Sequence, residues 1–264
     1  MVDSELIFEN LRNNFRVDGK ATIDGKGLVY VDGNIELLGD FHKLPVQFHT
    51  VTGDCTISHS VLTTLEGAPT KVGGNFSCWA NKLTSLAFSP KSVGGDFDCG
   101  NNPELGSLDG VPLHIQGSFG CTHCNLRSLA GAPKTVDEDF WCSNNKLKSL
   151  EGCPSAVYGS FFCGSNELTN LNHAPQTVTK NFSCHRNPLS SLEGLPPKLR
   201  IVELDWSPTI PLLRTLVADE RRWWKYPPDE VVDILNKYKG QGRAGAFDCR
   251  RELRAAGFEE NARW

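Results

Sequence analysis

Two cysteines of this sequence, Cys121 and Cys124, have the C-x-x-C spacing that zinc sites and thiol–disulfide centres use. Thiolates at this spacing bind a metal ion or exchange with a disulfide, and His123 lies between them. No second C-x-x-C accompanies the pair, although a structural zinc site needs four ligands. The alternative is structural, because Cys121 continues a regular series of cysteines and Cys124 stands where most repeats have asparagine. We favour the structural interpretation and expect neither a metal ion nor a cofactor.

No other pattern in the sequence indicates catalysis. The seven histidines lack the H-E-x-x-H spacing of metalloproteases. Neither a G-x-S-x-G nucleophile turn nor a phosphate-binding glycine loop is present. Cys249 lies in the phrase D-C-R-R-E near the end of the chain, where we expect it to pack inside a small helical core with Phe247 and Leu253. We therefore expect no catalytic residues, and a protein that is not an enzyme.

Internal repetition dominates the sequence. One unit runs VGGNFSCWANKLTSLAFSP from Val72, and another runs VDEDFWCSNNKLKSLEGCP from Val136. Both fit the template V-x-x-x-F-x-C-x-x-N-x-L-x-x-L-x-x-x-P. One cysteine recurs every 21 or 22 residues, at Cys78, Cys99, Cys121, Cys142, Cys163 and Cys184. Such a series predicts a buried column of reduced thiols, one per coil, rather than disulfide bridges.

The repeat predicts a leucine-rich-repeat solenoid of eight coils. In this interpretation Phe-x-Cys is a short strand whose side chains point in, out and in, and neighbouring coils pair as a parallel sheet on the concave side. The recurrent proline predicts an irregular, extended convex side. Residues 1–45 form the N-terminal cap, with a helix at 4–15 and a hairpin at 20–31. Residues 46–209 form the solenoid, and residues 210–264 form a helical C-terminal cap with three short helices.

The repeats resemble leucine-rich-repeat proteins encoded by tailed bacteriophages and some bacteria. The resemblance lies in the recurrent phrases LEGAP, LEGCP and SNNKL and covers residues 46–208. The ending KYKGQGRAGAFDCRRELRAAGFEENARW resembles a segment found at the end of such phage proteins. The resemblance implies a phage or prophage source but brings no known activity. The phrase GLPPKLRIVELDW from Gly194 resembles the repeat of bacterial effectors, some of which carry a C-terminal ubiquitin ligase domain. That domain is larger than residues 210–264, and its catalytic motif is Cys-x-Asp, whereas Cys249 lies in D-C-R-R-E.

Side chains that alternate with the buried Phe and Cys predict a binding face on the solenoid. Trp141 and Phe162 would be outward neighbours on adjacent strands, and exposed aromatic residues are enriched at binding sites. They would either bind a partner or merely stabilise each other across the strands. Carboxylates around them favour a basic protein surface as partner, including a DNA-binding enzyme if the carboxylates mimic phosphates. The predicted partner-binding residues are Trp79, Asp96, Asp98, Asp139, Trp141, Phe162, His185, Arg186, Glu203 and Asp205.

The resemblance and the face together predict a phage-encoded binding module in the host cytoplasm. It would capture or inhibit a host protein, for example a defence protein. The net charge of −4 gives no general reason for nucleic-acid binding, and no apolar stretch is long enough to span a membrane. Two alternatives stay open. One is nucleic-acid binding through the basic C-terminal cap, and the other is a structural protein of the virion. The basic residues of that cap are Lys237, Lys239, Arg243, Arg250, Arg251 and Arg254.

Overall fold

The described part of the chain forms a parallel β-solenoid of about seven turns. The computed structural model describes residues 3–190, 193–196, 199, 201–203, 224–225, 229–238 and 242–258. Each turn contributes short strands, and most of them pair in parallel with the same strands of the turns before and after it. The predicted parallel solenoid is therefore confirmed, with about seven turns where the sequence predicts about eight coils.

One ladder of strands carries the Phe-x-Cys repeat, and we call it the first ladder. Facing residues are equivalent, so that Phe119 pairs with Phe97 on one side and with Phe140 on the other. Phe and Cys of each repeat are buried, and the residue between them is half-buried in most turns. This confirms the predicted alternation of side chains in, out and in. The strands are β4 (Cys55–Thr56), β6 (Phe76–Ser77), β8 (Phe97–Asp98), β10 (Phe119–Gly120), β12 (Phe140–Trp141), β14 (Phe161–Phe162), β16 (Asn181–Ser183) and β17 (Ile201–Glu203).

A second ladder follows the recurrent proline, where sequence analysis predicts an irregular segment. Apart from the four-residue β3, its strands have two residues, and each strand ends on a buried apolar residue such as Val136 or Val157. Within β3 to β7 and within β9 to β15 these strands pair in parallel from turn to turn, and the ladder is interrupted between β7 and β9. Its strands are β3 (Phe48–Val51), β5 (Lys71–Val72), β7 (Ser92–Val93), β9 (His114–Ile115), β11 (Thr135–Val136), β13 (Ala156–Val157) and β15 (Thr177–Val178).

The interior consists of stacked columns of identical side chains. The six repeat phenylalanines from Phe76 to Phe182 are fully buried, and adjacent ring centroids lie 5.1–5.6 Å apart. The cysteine column beside them is buried and free of disulfides, as predicted. Burial raises the pKa of the Cys121 and Cys142 thiols well above the usual value, which keeps them protonated.

A column of buried asparagines joins each turn to the one before it. The side-chain amide of Asn145 donates to the carbonyls of Cys121 and Cys142, at 2.9 and 3.0 Å. Its Oδ1 accepts the backbone N–H groups of Cys124 and Leu126, both at 3.0 Å. Four backbone groups that the turn removes from the strand ladders are thus satisfied by one side chain.

Cys124 takes the asparagine position in its own turn, as the structural interpretation predicts. Its Sγ donates to the carbonyl of Cys99 at 3.2 Å, where an asparagine would donate its amide. A thiol accepts hydrogen bonds weakly, and the amide that it would have to satisfy, that of Leu105, bonds instead to the carbonyl of Asn102 at 3.0 Å. One extra residue before Leu105 makes room for that local turn.

The N-terminal cap is helix α1 (Ser4–Asn14) followed by a hairpin of β1 (Phe15–Ile23) and β2 (Val29–Leu37). The predicted helix and hairpin are both present, and the hairpin strands are longer than predicted. Strand β2 pairs with β3 through Val29–Val31 and with β4 through Ile35–Glu36, so one strand covers the end of both ladders. Gly33 lies between these segments with a φ of +138°, and a Cβ there would be 1.9 Å from the Asp18 carbonyl oxygen, so only glycine fits.

The other end of the first ladder is covered by β18 (Trp224–Lys225), which pairs antiparallel with β17 and which sequence analysis did not predict. Two of the three predicted C-terminal helices are present, as α2 (Asp229–Lys237) and α3 (Gly242–Ala255). The first predicted helix, at residues 211–217, lies outside the described residues. Helices α2 and α3 pack around buried Val231, Ile234, Cys249 and Leu253. Cys249 is thus in a core as predicted, whereas Phe247 is 60% exposed because it lies on the opposite side of α3.

No helix in the described part of the chain combines the length and apolar character that crossing a membrane requires.

Candidate functional site

The side of the first ladder that points away from the core carries most of the predicted binding residues, and we call it the outer face. Three columns of side chains run across it, one residue per turn in each column. The front column precedes the Phe and reads Asp54, Asn75, Asp96, Ser118, Asp139, Ser160 and Asn181. The middle column reads Thr56, Ser77, Asp98, Gly120, Trp141, Phe162 and Ser183. The rear column follows the Cys and reads Ser58, Trp79, Gly100, Thr122, Ser143, Gly164 and His185.

The front column is a hydrogen-bonded ladder between turns. Asp96 Oδ1 accepts the N–H of Ser118 at 2.7 Å, and Asp139 Oδ1 accepts the N–H of Ser160 at the same distance. The backbone N–H groups of Asp96 and Asp139 in turn donate to side-chain oxygens of the preceding turn. Both predicted binding carboxylates therefore have a structural role, and their role in binding stays a prediction.

Trp141 and Phe162 form a stacked pair in the middle column. Their ring centroids are 6.0 Å apart and their planes differ by 11°. Both side chains are half-buried, so the pair is accessible on the outer face and is not part of the core. Phe162 stacks on the indole from β14, and on the other side of Trp141 the neighbouring strand β10 has Gly120, which has no side chain, in the same column.

Asp98 and Trp79 both approach Gly100 of the outer face. Asp98 Oδ1 accepts the N–H of Gly100 at 2.9 Å. A Cβ on Gly100 would be 2.9 Å from Trp79 Cδ1 and 3.1 Å from Asp98 Oδ1, so the indole and the carboxylate both lean over this glycine. Trp79 also contacts the imidazole of His59, with ring centroids 4.7 Å apart. Partial burial raises the pKa of the Asp98 carboxyl, the Gly100 N–H opposes this, and the carboxylate of Asp96 adds to the rise.

The remaining predicted residues lie toward the C-terminal end of the face. The ring of His185 leans over Gly164, and its Nδ1 is 2.8 Å from Ser183 Oγ. Arg186 is exposed and has a φ of +52°, a conformation shared by the equivalent corner residues of other turns. Glu203 is placed on β17 opposite Ser183, but its side chain and Asp205 lie outside what the structure describes.

The glycines of the outer face were not among the predicted site residues, and their role in making space was not predicted. Gly100, Gly120 and Gly164 have no positive φ, so the backbone conformation does not require glycine at these positions. A Cβ at each would instead lie 2.9 Å or closer to a neighbouring side chain. Each glycine therefore makes space for Trp79, Asp98 or His185. The signal in the sequence is a glycine inside a strand pattern, which indicates a close approach by another group.

Two ion pairs are described in the C-terminal helices. Lys237 bonds to Glu252 at 2.7 Å, and Arg251 bonds to Asp248 at 2.9 Å. A shallow cavity of about 440 Å³ between the two helices is lined by Glu230, Asp233 and Glu252 among others. These carboxylates would repel a phosphate backbone, so this surface of the helices gives the nucleic-acid alternative little support.

Among the described residues no three side chains of histidine, cysteine, aspartate or glutamate lie close enough together to hold a metal ion. Comparisons of the chain with protein-family models, with curated proteins and with solved structures find no match.

Proposed function

We propose that the protein is a binding module of the leucine-rich-repeat type that holds a basic segment of another protein against its outer face. The observation that carries the proposal is the half-buried, stacked pair of Trp141 and Phe162, with the Asp98 carboxylate two strands away. Aromatic rings of this kind supply much of the binding energy in protein interfaces. The assignment to the leucine-rich-repeat type is supported by the L-x-x-L spacing and by the asparagine column.

The other turns of the solenoid argue against a purely structural role for the aromatic pair. Thr56, Ser77 and Gly120 occupy the same column, and their turns pair with the same register as those of Trp141 and Phe162. Small residues at this position therefore suffice for successive turns of the solenoid to pack on one another. Large apolar side chains that stay partly in water cost free energy, and a binding partner that covers them would remove this cost.

The surface charge favours a basic partner. From Asp54 to Gly164 the three columns contain four aspartates and no lysine or arginine. A negative surface of this kind repels phosphate and attracts cationic protein segments. The resemblance to phage proteins makes a bacterial host protein the expected partner, and inhibition of a host or defence enzyme the expected consequence.

Quantitative affinity capture from bacterial lysate tests the proposal. The wild type is compared with the Trp141→Ala/Phe162→Ala double variant and with Tyr158→Ala, which removes a 51% exposed aromatic ring from outside these columns. We expect a partner that the wild type and Tyr158→Ala recover equally and that the double variant loses. Circular dichroism checks that all three proteins are folded. Equal recovery by the double variant would contradict the proposal.

Nucleic-acid binding by the C-terminal cap and a structural role in the virion stay as the alternatives. The first predicts association that weakens steeply as salt rises, because phosphate contacts release counterions. The second predicts copies of this chain in purified particles. Neither behaviour is expected of a module that acts through the outer face.

A further inference from the structure

The gap at Gly120 has a carboxylate on one side and an indole on the other. In the strand register, Gly120 pairs with Asp98 of β8 and with Trp141 of β12. Strands of a sheet lie about 4.8 Å apart, so the Asp98 and Trp141 backbones are about 10 Å apart across the glycine. The side chains thus flank a strand position that has no side chain of its own, and we call this gap the slot.

Gly120 is explained by space rather than by backbone conformation. A Cβ at this position would be 2.9 Å from Asp98 Oδ1 and 3.3 Å from its Cγ. The carboxylate of Asp98 therefore leans into the slot from β8, and any larger residue at position 120 would push it away. Glycine weakens a strand, so its presence here favours a role for the slot itself.

The carboxylate in the slot is held by one oxygen and available through the other. Oδ1 accepts the N–H of Gly100, which fixes the orientation of the group, whereas Oδ2 accepts no hydrogen bond within the described chain. No lysine or arginine of the three columns between Asp54 and Gly164 can neutralise it. Partial burial makes the negative charge more costly still, and a cation from outside would offset that cost.

We propose that Asp98, Gly120 and Trp141 form a receptor for an arginine side chain of the partner protein. This inference rests on the proposed function and names the group that the outer face recognises. A guanidinium group is planar, so it can stack on the Trp141 indole from the side of Gly120 while its N–H groups donate to Asp98. A lysine ammonium would keep the charge attraction but lose the stacking and the fixed geometry of the donors.

Titration with short peptides tests the receptor without knowledge of the partner. The probe is acetyl-Gly-Gly-Arg-Gly-Gly-amide, and its matched controls carry citrulline or lysine in place of arginine. Citrulline keeps the planar shape and removes the charge. Indole N–H signals in two-dimensional NMR spectra of the ¹⁵N-labelled full chain report binding, and Trp141→Phe assigns the relevant signal.

We expect the arginine peptide to shift the Trp141 signal saturably, and the citrulline peptide to bind at least about tenfold more weakly. Asp98→Asn keeps the acceptor for the Gly100 N–H but removes the charge, and it should weaken arginine binding by about tenfold or more. Gly120→Ala should do the same by displacing the carboxylate. The control Asp137→Asn, which removes a carboxylate that pairs with His114 outside the three columns, should leave binding unchanged.

The inference fails if no saturable shift occurs up to the solubility of the peptide, if citrulline equals arginine, or if Asp98→Asn binds as tightly as the wild type. Affinity capture then separates the two proposals. A partner lost by Trp141→Ala/Phe162→Ala but retained by Asp98→Asn would leave the binding face in place and exclude the arginine receptor. An arginine-specific shift, together with no partner that the double variant loses, would support the arginine receptor and contradict the proposed capture of a partner by the aromatic pair.

Discussion

Replacement of one buried asparagine tests how the turns of the solenoid are held together. Asn145 is 8% exposed and satisfies four backbone groups at 2.9–3.0 Å: the N–H groups of Cys124 and Leu126 and the carbonyls of Cys121 and Cys142. Its amide also makes a longer bond to the Ser143 carbonyl, at 3.4 Å. Asn145→Ala removes these hydrogen bonds and leaves a space where the amide was. The preceding turn has Cys124 at this position, and its thiol bonds to the Cys99 carbonyl, so no amide of that turn replaces the lost bonds.

The expected loss of stability follows from how many groups remain unpaired. Each buried polar group without a partner costs about 1–3 kcal/mol. A water molecule that enters the space can make about three hydrogen bonds, which leaves about one group unsatisfied and some packing lost. We therefore expect Asn145→Ala to lower the free energy of unfolding by about 2–4 kcal/mol. That is a large part of the roughly 5–15 kcal/mol by which folded domains are stable.

Urea unfolding followed by circular dichroism measures the loss, and native-state hydrogen exchange of the Leu126 amide locates it. The matched control is Asn187→Ala, because Asn187 makes the same kinds of bonds, to the Leu168 N–H and to the carbonyls of Cys163 and Cys184. It is half-buried, so water can replace its bonds and the loss should be smaller. A loss below about 1 kcal/mol for Asn145→Ala, or one no larger than for Asn187→Ala, would refute this account of the column.

Three further predictions concern strain, charge and thiols. Phe88 and His173 have φ values of +68° and +67° at a position where other turns have glycine, so their backbone is strained. Phe88→Gly and His173→Gly should each raise the free energy of unfolding, measured in urea, by about 0.5–1 kcal/mol. A lower free energy of unfolding would exclude strain at these positions. The raised pKa of Asp98 favours the protonated carboxyl in the folded state. The stability that Asp98 contributes is therefore present below the usual pKa of 3.8 and is lost as pH rises through the raised pKa of the folded state. Asp98→Asn should remove that part of the pH dependence and be at least as stable as the wild type at neutral pH, as urea midpoints between acid and neutral pH would measure. Burial raises the pKa of the Cys153 thiol to about 12. At neutral pH a maleimide should therefore label Cys153 far more slowly in the native protein than in urea, as mass spectrometry would measure. Equal labelling rates would contradict the burial of this thiol.

The repeat made the core predictable from the sequence. Every turn places Phe, Cys and Asn in the same surroundings, so a position that is apolar in six successive units must face the interior. The column of Cys99 and Cys121 therefore followed from spacing alone, and the role of Cys124 followed from its register. Helix α3 was predictable for a similar reason, because its apolar residues recur at helical spacing and Gly257 ends it with a φ of +87°.

The second ladder was not predictable in the same way, because a strand of two residues has no alternation of its own. Lys71–Val72 offers one buried and one exposed side chain, which fits a turn as well as a strand. The pairing of β2 with both ladders depends on the bend at Gly33, and the pairing of Trp224–Lys225 depends on where the C-terminal segment returns. Long-range pairing of this kind leaves no local mark on the sequence.

For the outer face, the sequence predicted which residues point outward but not which way they lean. The register placed Asp98 and Trp141 two strands apart, whereas the tilt of the Asp98 carboxylate onto Gly120 is a choice of side-chain rotamer. Asp96 and Asp139 were predicted as binding charges, and the structure gives them hydrogen bonds to the next turn. The signal was present, since Asp, Asn and Ser alone fill the front column, and these side chains readily bond to nearby backbone.

The successive turns act as internal controls, and this is what separates binding residues from structural ones on the outer face. A side chain needed for stacking should recur at its position in nearly every turn, as the amide of the asparagine column and the acceptors of the front column do. Between Thr56 and Ser183, Asp98, Trp141 and Phe162 each break the pattern of a column that otherwise holds Ser, Thr or Gly. Asp98 also carries an unneutralised charge in a partly buried place, which works against stability. Residues that depart from the repeat without helping the fold are those expected to be kept for a partner.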